Sequence, residues 1–210
     1  MIRFALAACL VAVSAPAAPE VTGILNGVEQ RYNRARTLEV HFEQTYDAPS
    51  RGPITESGEL FLRKPGRMRW QYTQPAGKLF LSDGKYTFLY TPSNNRVERT
   101  KVKETDDLRA PLSFLLGKLN FQREFRHFVF RKEGEDTWIK AEPRSDKTPF
   151  TEVEFRVSPS YEILQLIIAG DTASTMEFRF AQEKLNPPLP EAMFRFKAPA
   201  GAEVVEEAEK

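Results

Sequence analysis

Cysteine and histidine are nearly absent from this chain: Cys9 is the only thiol, and His41 and His127 are the only imidazoles. Cys9 falls inside the first apolar run, in a segment expected to be removed. The mature chain then forms no disulfide, offers no thiolate to a metal and has no cysteine nucleophile. An excess of either charge is also lacking, with 30 Lys and Arg against 29 Asp and Glu. Such a balance gives no electrostatic footprint for nucleic acid. No HExxH, Cys-His cluster, Asp-rich calcium loop, Gly-x-Ser-x-Gly, Ser-x-x-Lys or glycine-rich phosphate loop occurs. Both histidines sit in strand-like surroundings as solvent-facing residues. The carboxylate pairs Asp106-Asp107 and Glu206-Glu207 have no apolar neighbours to raise a pKa for acid–base work. The expectation is a protein that is not an enzyme and uses no metal or cofactor.

What the chain does have begins at its start. Met1-Ile2-Arg3 is followed by an apolar run from Phe4 to Val13 and then by Ser14-Ala15-Pro16-Ala17-Ala18, the layout of a cleavable secretory signal over residues 1–17. The run is too short for a permanent transmembrane helix, and no later segment is apolar for long enough. Leu6-Ala7-Ala8-Cys9 resembles a bacterial lipobox, but the apolar stretch before it is short and the residues after it stay apolar. Export of a soluble domain over residues 18–210 is the expectation.

That domain reads as mainly β. Val21, Ile24, Leu25, Val28 and Tyr32 form the stripe of one amphipathic helix, weakened by Gly23 and Gly27. The period then changes to two, with Leu38, Val40, Phe42, Gln44 and Tyr46 alternating with Glu39, His41, Glu43 and Thr45. After a loop carrying Pro49, Gly52 and Pro53, strands are expected at 58–64, 67–73, 78–82, 85–91 and 96–103. Pro65-Gly66, Pro75 to Gly77 and Asp83-Gly84 punctuate this meander. Further strands fit 123–132, 136–142, 150–157, 162–169 and 174–181, with a last short one near 193–197. The acidic tail from Glu203 to Lys210 is expected to fray. Between the two strand groups, residues 108–117 carry Pro111 near a helix start and Gly117 at its end, and their apolar positions nearly encircle the helix. Such a helix is buried on most sides or lies across an apolar opening.

The chain contains 16 Phe, and its aromatics concentrate on the meander, where Met68, Trp70 and Tyr72 share one face and Arg67, Arg69 and Gln71 the other. For most proteins such a face is simply packed core. Here two helices have to cover about eleven strands, and a sheet of that size tends to curl and leave an interior cavity.

Gly58-Glu59-Leu60-x-Leu62-Arg63-Lys64-Pro65-Gly66-Arg67-Met68-Arg69-Trp70, followed by Pro75, Leu81-Ser82-Asp83-Gly84-Lys85 and Tyr90, resembles the hallmark stretch of the LolA family of periplasmic lipoprotein carriers. The leading helix, Phe42-x-Gln44, Pro111-Leu112 and Phe194-x-Phe196-x-x-Pro199-x-Gly201 extend the resemblance over most of the chain. It implies an unclosed antiparallel β-barrel with a helical lid over a hydrophobic cavity. It implies a monomeric carrier in the periplasm that takes outer-membrane-directed lipoproteins from an inner-membrane lipoprotein-releasing transporter and hands them to an outer-membrane receptor. Carried over by position, the acyl chains would lie against Val40, Phe42, Leu60, Met68, Trp70 and Phe80, with Leu112, Leu115 and Leu116 from the lid. The family's lid-latching arginine falls at Lys64 in this sequence, while strand alternation sends Arg63 to the opposite face.

Burial of acyl chains is worth about 0.8 kcal/mol per CH₂, so something must offset it if cargo is to leave. Displacement of apolar lid contacts by the cargo would do so. The alternatives from the same fold are an outer-membrane receptor, which would need a lipidated Cys9, a glycolipid shuttle, or a sensor of mislocalised lipoproteins.

Overall fold

Alternation of period two resolves, in a computed structural model, into twelve strands in one sheet among the described residues, which are 18–102, 119–146, 148–170 and 172–206. In chain order the elements are α1 (Ala18–Arg34), β1 (Thr37–Ala48), β2 (Arg51–Arg63), β3 (Arg67–Gln74), β4 (Leu79–Asp83), β5 (Tyr86–Thr91), β6 (Arg96–Lys101), α2 (Phe121–Glu124), β7 (Phe125–Glu133), β8 (Asp136–Pro143), β9 (Phe150–Val157), β10 (Ile163–Gly170), β11 (Thr175–Leu185) and β12 (Glu203–Glu206). Their spatial order is β12-β6-β5-β4-β3-β2-β1-β11-β10-β9-β8-β7, so the sheet ends on β12 and β7 without closing. Every pairing is antiparallel except β12 with β6. β6 and β7 lie near opposite ends of the sheet, although only α2 separates them among the described elements.

The turns follow their residue chemistry. Asp83 Oδ1 accepts from the backbone N–H of Lys85 at 2.7 Å and of Tyr86 at 2.8 Å, and Gly84 takes φ +96 between β4 and β5. Ser82 Oγ donates to the Gly66 carbonyl, so the β2–β3 and β4–β5 turns are tied together at one end of the sheet. α1 packs its stripe of Leu25, Val28 and Tyr32 into the core. Gly27, which as a residue type weakens a helix, has a packing reason here: a Cβ at that position would meet the Tyr161 ring at 2.4 Å.

Three sequence expectations are corrected. β2 starts at Arg51, so Gly52 and Pro53 belong to a strand and the β1–β2 connection shrinks to Pro49-Ser50. Pro53 is tolerated because β2 pairs with β3 only from Ser57 onward. The stretch near 193–197 is not a strand. Glu191–Phe194 forms a 3₁₀ turn after Pro187, Pro188 and Pro190, and the Met193 carbonyl accepts from Arg69 Nη1 instead of a ladder partner. The tail does not fray from Glu203, since Glu203–Glu206 adds as β12 along β6, with Arg99 Nη1 2.8 Å from Glu206 Oε1. That pairing makes twelve strands where about eleven were expected. The short α2, capped by the Asn120 side chain, was not anticipated. The helix expected at 108–117 lies outside the described residues, as do residues 1–17.

On the outer face of β2 and β3, Arg63 Nη1 donates to the Leu189 carbonyl and Arg67 pairs with Glu191. With Arg69 they strap the C-terminal segment against the sheet. Phe196 stacks on Phe88 at 4.5 Å, and Phe194 is buried.

Candidate functional site

β1 to β4 build one wall of the interior. Val40 and Phe42 come from β1, Leu60 from β2, Met68 and Trp70 from β3 and Phe80 from β4, and all six are buried in one cluster. Register brings them together: Val40 pairs with Leu60, Leu60 with Trp70 and Trp70 with Phe80. Alternation puts these positions on the same side of the pleat. Trp70, with 0% exposure, meets the Phe42 ring at 4.6 Å edge-on and the Phe178 ring at 5.3 Å, and its indole N–H donates to Met68 Sδ at 2.8 Å. Tyr72 meets Phe42 at 5.2 Å, again edge-on. Phe178 belongs to β11, so the wall continues past β1, although no sequence signal singled that residue out. Leu112, Leu115 and Leu116 lie outside the described residues.

α1 is fixed across the interior by polar groups at its ends and sides. Tyr32 donates its hydroxyl proton to Glu183 Oε2 at 2.7 Å and accepts from the Ile163 N–H at 2.9 Å. Arg31 Nη2 lies 2.6 Å from Glu183 Oε1. Burial, reinforced by the Glu183 carboxylate, holds the Tyr32 pKa well above the usual phenol value. Glu29 accepts from the Phe121 N–H, and the Asn33 amide makes two bonds with Leu119. The segment that leads into α2 and β7 is therefore attached to α1.

Lys64 Nζ donates to the Tyr32 carbonyl at 2.7 Å, at the last turn of α1. Burial lowers its pKa. The bond it makes among the described residues thus holds α1. Arg63 faces the outer side, as alternation requires.

At the opposite end of β1 to β4 from Lys64 the wall changes character. Gln44 follows Phe42 by two residues, Tyr72 follows Trp70 by two, Lys78 precedes Phe80 by two and Glu56 lies opposite Gln44 in register. The Tyr72 hydroxyl donates to Gln44 Oε1 at 3.2 Å, Gln44 Nε2 donates to Glu56 Oε2 at 2.7 Å, and Lys78 Nζ lies 2.5 and 2.6 Å from the two Glu56 oxygens. The Lys78 ammonium also sits 4.7 Å from the Tyr72 ring centroid. Sequence reasoning did not pick out this polar rung as a site. The signal was available, because Gln44, Glu56 and Lys78 share the parity of Phe42, Leu60 and Phe80.

The histidines are apart from one another and from this wall. His41 pairs with Glu59 on the outer side of β1 and β2, and His127 pairs with Glu142 at a bulge in β7. Among the described residues no three His, Cys, Asp or Glu side chains gather to hold a metal, and no helix is long and apolar enough to cross a membrane.

An open antiparallel sheet with an apolar inner wall and a helix bolted across it defines a class of protein: a half-barrel that encloses apolar surface. The chain belongs to the LolA family, whose model, described as outer membrane lipoprotein carrier protein LolA, matches residues 33–197. It is similar to the outer-membrane lipoprotein carrier proteins of Chromobacterium violaceum, with 26% identity over 90% of each chain, and of Dechloromonas aromatica, with 26% identity over 88% of each. In fold it is similar to the crystal structure of an uncharacterized conserved protein from Thermus thermophilus, with a TM-score of 0.53, 13% identity and coverage of 90% of this chain and 99% of the other.

Proposed function

We propose that this chain is a periplasmic carrier that holds the acyl chains of lipoproteins against the inner wall of β1 to β4 and moves them from the inner to the outer membrane. On this reading residues 1–17 are a cleaved signal and residues 18–210 one carrier domain. Cargo arrives from an inner-membrane releasing transporter and leaves to an outer-membrane receptor. No catalytic step or cofactor is assigned. The observation that carries the proposal is the convergence of Val40, Phe42, Leu60, Met68, Trp70 and Phe80 on one buried face of a sheet that does not close. Family membership supports the lipoprotein as cargo.

Because these six side chains pack in one buried apolar cluster, loading exchanges one set of apolar contacts for another. An acyl chain gains about 0.8 kcal/mol per CH₂ on burial, and displacement of apolar contacts, those of α1 and those expected of a lid carrying Leu112, Leu115 and Leu116, would offset that gain. Net affinity then stays low enough for transfer. Native mass spectrometry of the protein purified from the cell envelope tests the proposal. The expected spectrum shows a mature chain beginning near Ala18 with a diacyl or triacyl lipoprotein adduct. Adducts of free lipid alone would replace the lipoprotein carrier with a lipid shuttle.

A further inference from the structure

The polar rung above the aromatic wall is out of place in a simple core. Gln44 is 4% exposed, and the Glu56 and Lys78 side chains are 13% and 18% exposed, with Phe42 two residues before Gln44 in β1 and Phe80 two residues after Lys78, which immediately precedes β4. A mostly buried ion pair is weak support for a fold, and apolar residues of similar volume often serve stability as well or better. The fold therefore supplies no strong reason for Glu56 and Lys78 to stand there. Ligand chemistry does.

An acyl chain that enters an apolar wall tail-first is polar at only one place, the ester carbonyl where the chain meets its glyceryl group. That carbonyl arrives where the apolar wall ends, and burying it without a donor is unfavourable. We infer that Gln44, Glu56 and Lys78 form a docking station for the neutral glyceryl ester head of an acylated ligand; this inference rests on the carrier reading above.

Donor arithmetic fits. The Lys78 ammonium has three N–H bonds and directs two contacts at Glu56, and the Gln44 amide has two N–H bonds and directs one at Glu56. Each keeps a donor for a carbonyl oxygen. Glu56 cancels the charge of Lys78, so the station offers donors without net positive charge, which suits an uncharged ester better than a phosphate or free carboxylate. Glu56 also fixes both donors in place before a ligand arrives, which reduces the ordering needed on binding.

The test compares two ligands on the mature protein by titration calorimetry: a peptide carrying S-(2,3-dipalmitoyloxypropyl)cysteine and its dialkyl-ether analogue, which has the same chains without ester carbonyls. The wild type should prefer the ester by about tenfold, the size of a hydrogen bond to a charged donor. The double variant Glu56→Leu with Lys78→Met should melt at or above the wild-type temperature and prefer the ester by no more than about threefold, the preference that the remaining Gln44 donor supplies. Lys78→Met alone, which keeps the Gln44–Glu56 bond, should show the same loss if the double variant does not fold. Equal wild-type affinity for ester and ether would overturn the station while leaving the carrier reading intact, as would an ester preference that survives undiminished in the variants. A lower melting temperature with parallel loss of both ligands would make the pair structural and also overturn it. Failure of the wild type to bind either ligand would instead remove the carrier reading, and the station with it. Phosphatidylglycerol and its ether analogue form a second arm. An ester preference there as well assigns the station to any glyceryl ester, and a preference confined to the lipopeptide assigns it to lipoproteins.

Discussion

The inner faces of β1 to β4 and of β8 to β10 are equally buried and differently made. The first is aromatic, with Phe42, Trp70, Tyr72 and Phe80; the second is mostly aliphatic, with Ile139, Ala141, Val153, Val157, Ile163, Leu166 and Ile168 around Phe155. Phe155 is covered by Phe121 at 5.5 Å and Phe125 at 5.9 Å, both from the segment that leads into β7 beside it. The ring partners described for Trp70 are Phe42 and Phe178, which belong to the wall itself. Burial alone thus does not distinguish the two walls, but their described cover does: the aliphatic wall packs against α2 and the start of β7, held to α1 through Glu29 and Asn33.

The largest effects should separate the two walls. Trp70→Ala is expected to lower stability by about 3–5 kcal/mol and Leu166→Ala by about 2–5 kcal/mol, since both side chains are fully buried. Lipopeptide affinity, measured on the folded fraction, should fall by more than about tenfold for Trp70→Ala and by less than about threefold for Leu166→Ala. Equal losses would mean that both walls line one cavity.

The aromatic wall was legible because β1 to β5 combine strict alternation with strong turn residues, Pro65-Gly66 and Asp83-Gly84. Hence Val40, Phe42, Leu60, Met68, Trp70 and Phe80 share a face as alternation requires. The polar rung was not legible in the same way. Gln44, Glu56 and Lys78 are each ordinary polar residues in sequence, and they are brought to one place by the β1–β2 register and by the bond from the Tyr72 N–H to the Lys78 carbonyl. Long-range contacts explain the other misses. β12 depends on Arg96 and Arg99 of β6, roughly a hundred residues earlier, and the Phe194 turn depends on Arg69. Local pattern carries no record of such partners.

α1 bridges the two walls, and its fastenings differ between them. Toward β10 and β11 it is held by the buried Tyr32 hydroxyl, and Tyr32→Phe should cost about 1–3 kcal/mol by leaving Glu183 and the Ile163 N–H short of a partner. This contribution depends on pH. The folded pKa of Tyr32 is raised, whereas in the unfolded chain the phenol ionises near its ordinary value of about 10. The unfolded state therefore binds fewer protons above that value, and the contribution is fully present below it and lost as pH rises toward the folded pKa. Urea unfolding near pH 8 and about pH 11 should show the gap between wild type and Tyr32→Phe shrinking at the higher pH. A constant gap would show that the hydroxyl is not sealed from solvent.

Among the described residues, the fastening toward β2 is one half-buried lysine, Lys64. Lys64→Met should cost only about 1 kcal/mol and lower the melting temperature by about 2–4 °C, because one carbonyl, Tyr32 O, loses one donor at a site water can reach. If α1 opens from its more weakly held side, this variant should take up lipopeptide faster than wild type, while Tyr32→Phe, which loosens the other side, should not in stopped-flow mixing. Lys64→Arg sharpens the point. With only the Tyr32 carbonyl to bond among the described residues, its planar fork gains nothing over the ammonium, and stability should stay within about 0.5 kcal/mol of wild type. Slower uptake by Lys64→Arg would then locate a second acceptor for position 64 outside α1, which is where a latch on residues 103–118 would act.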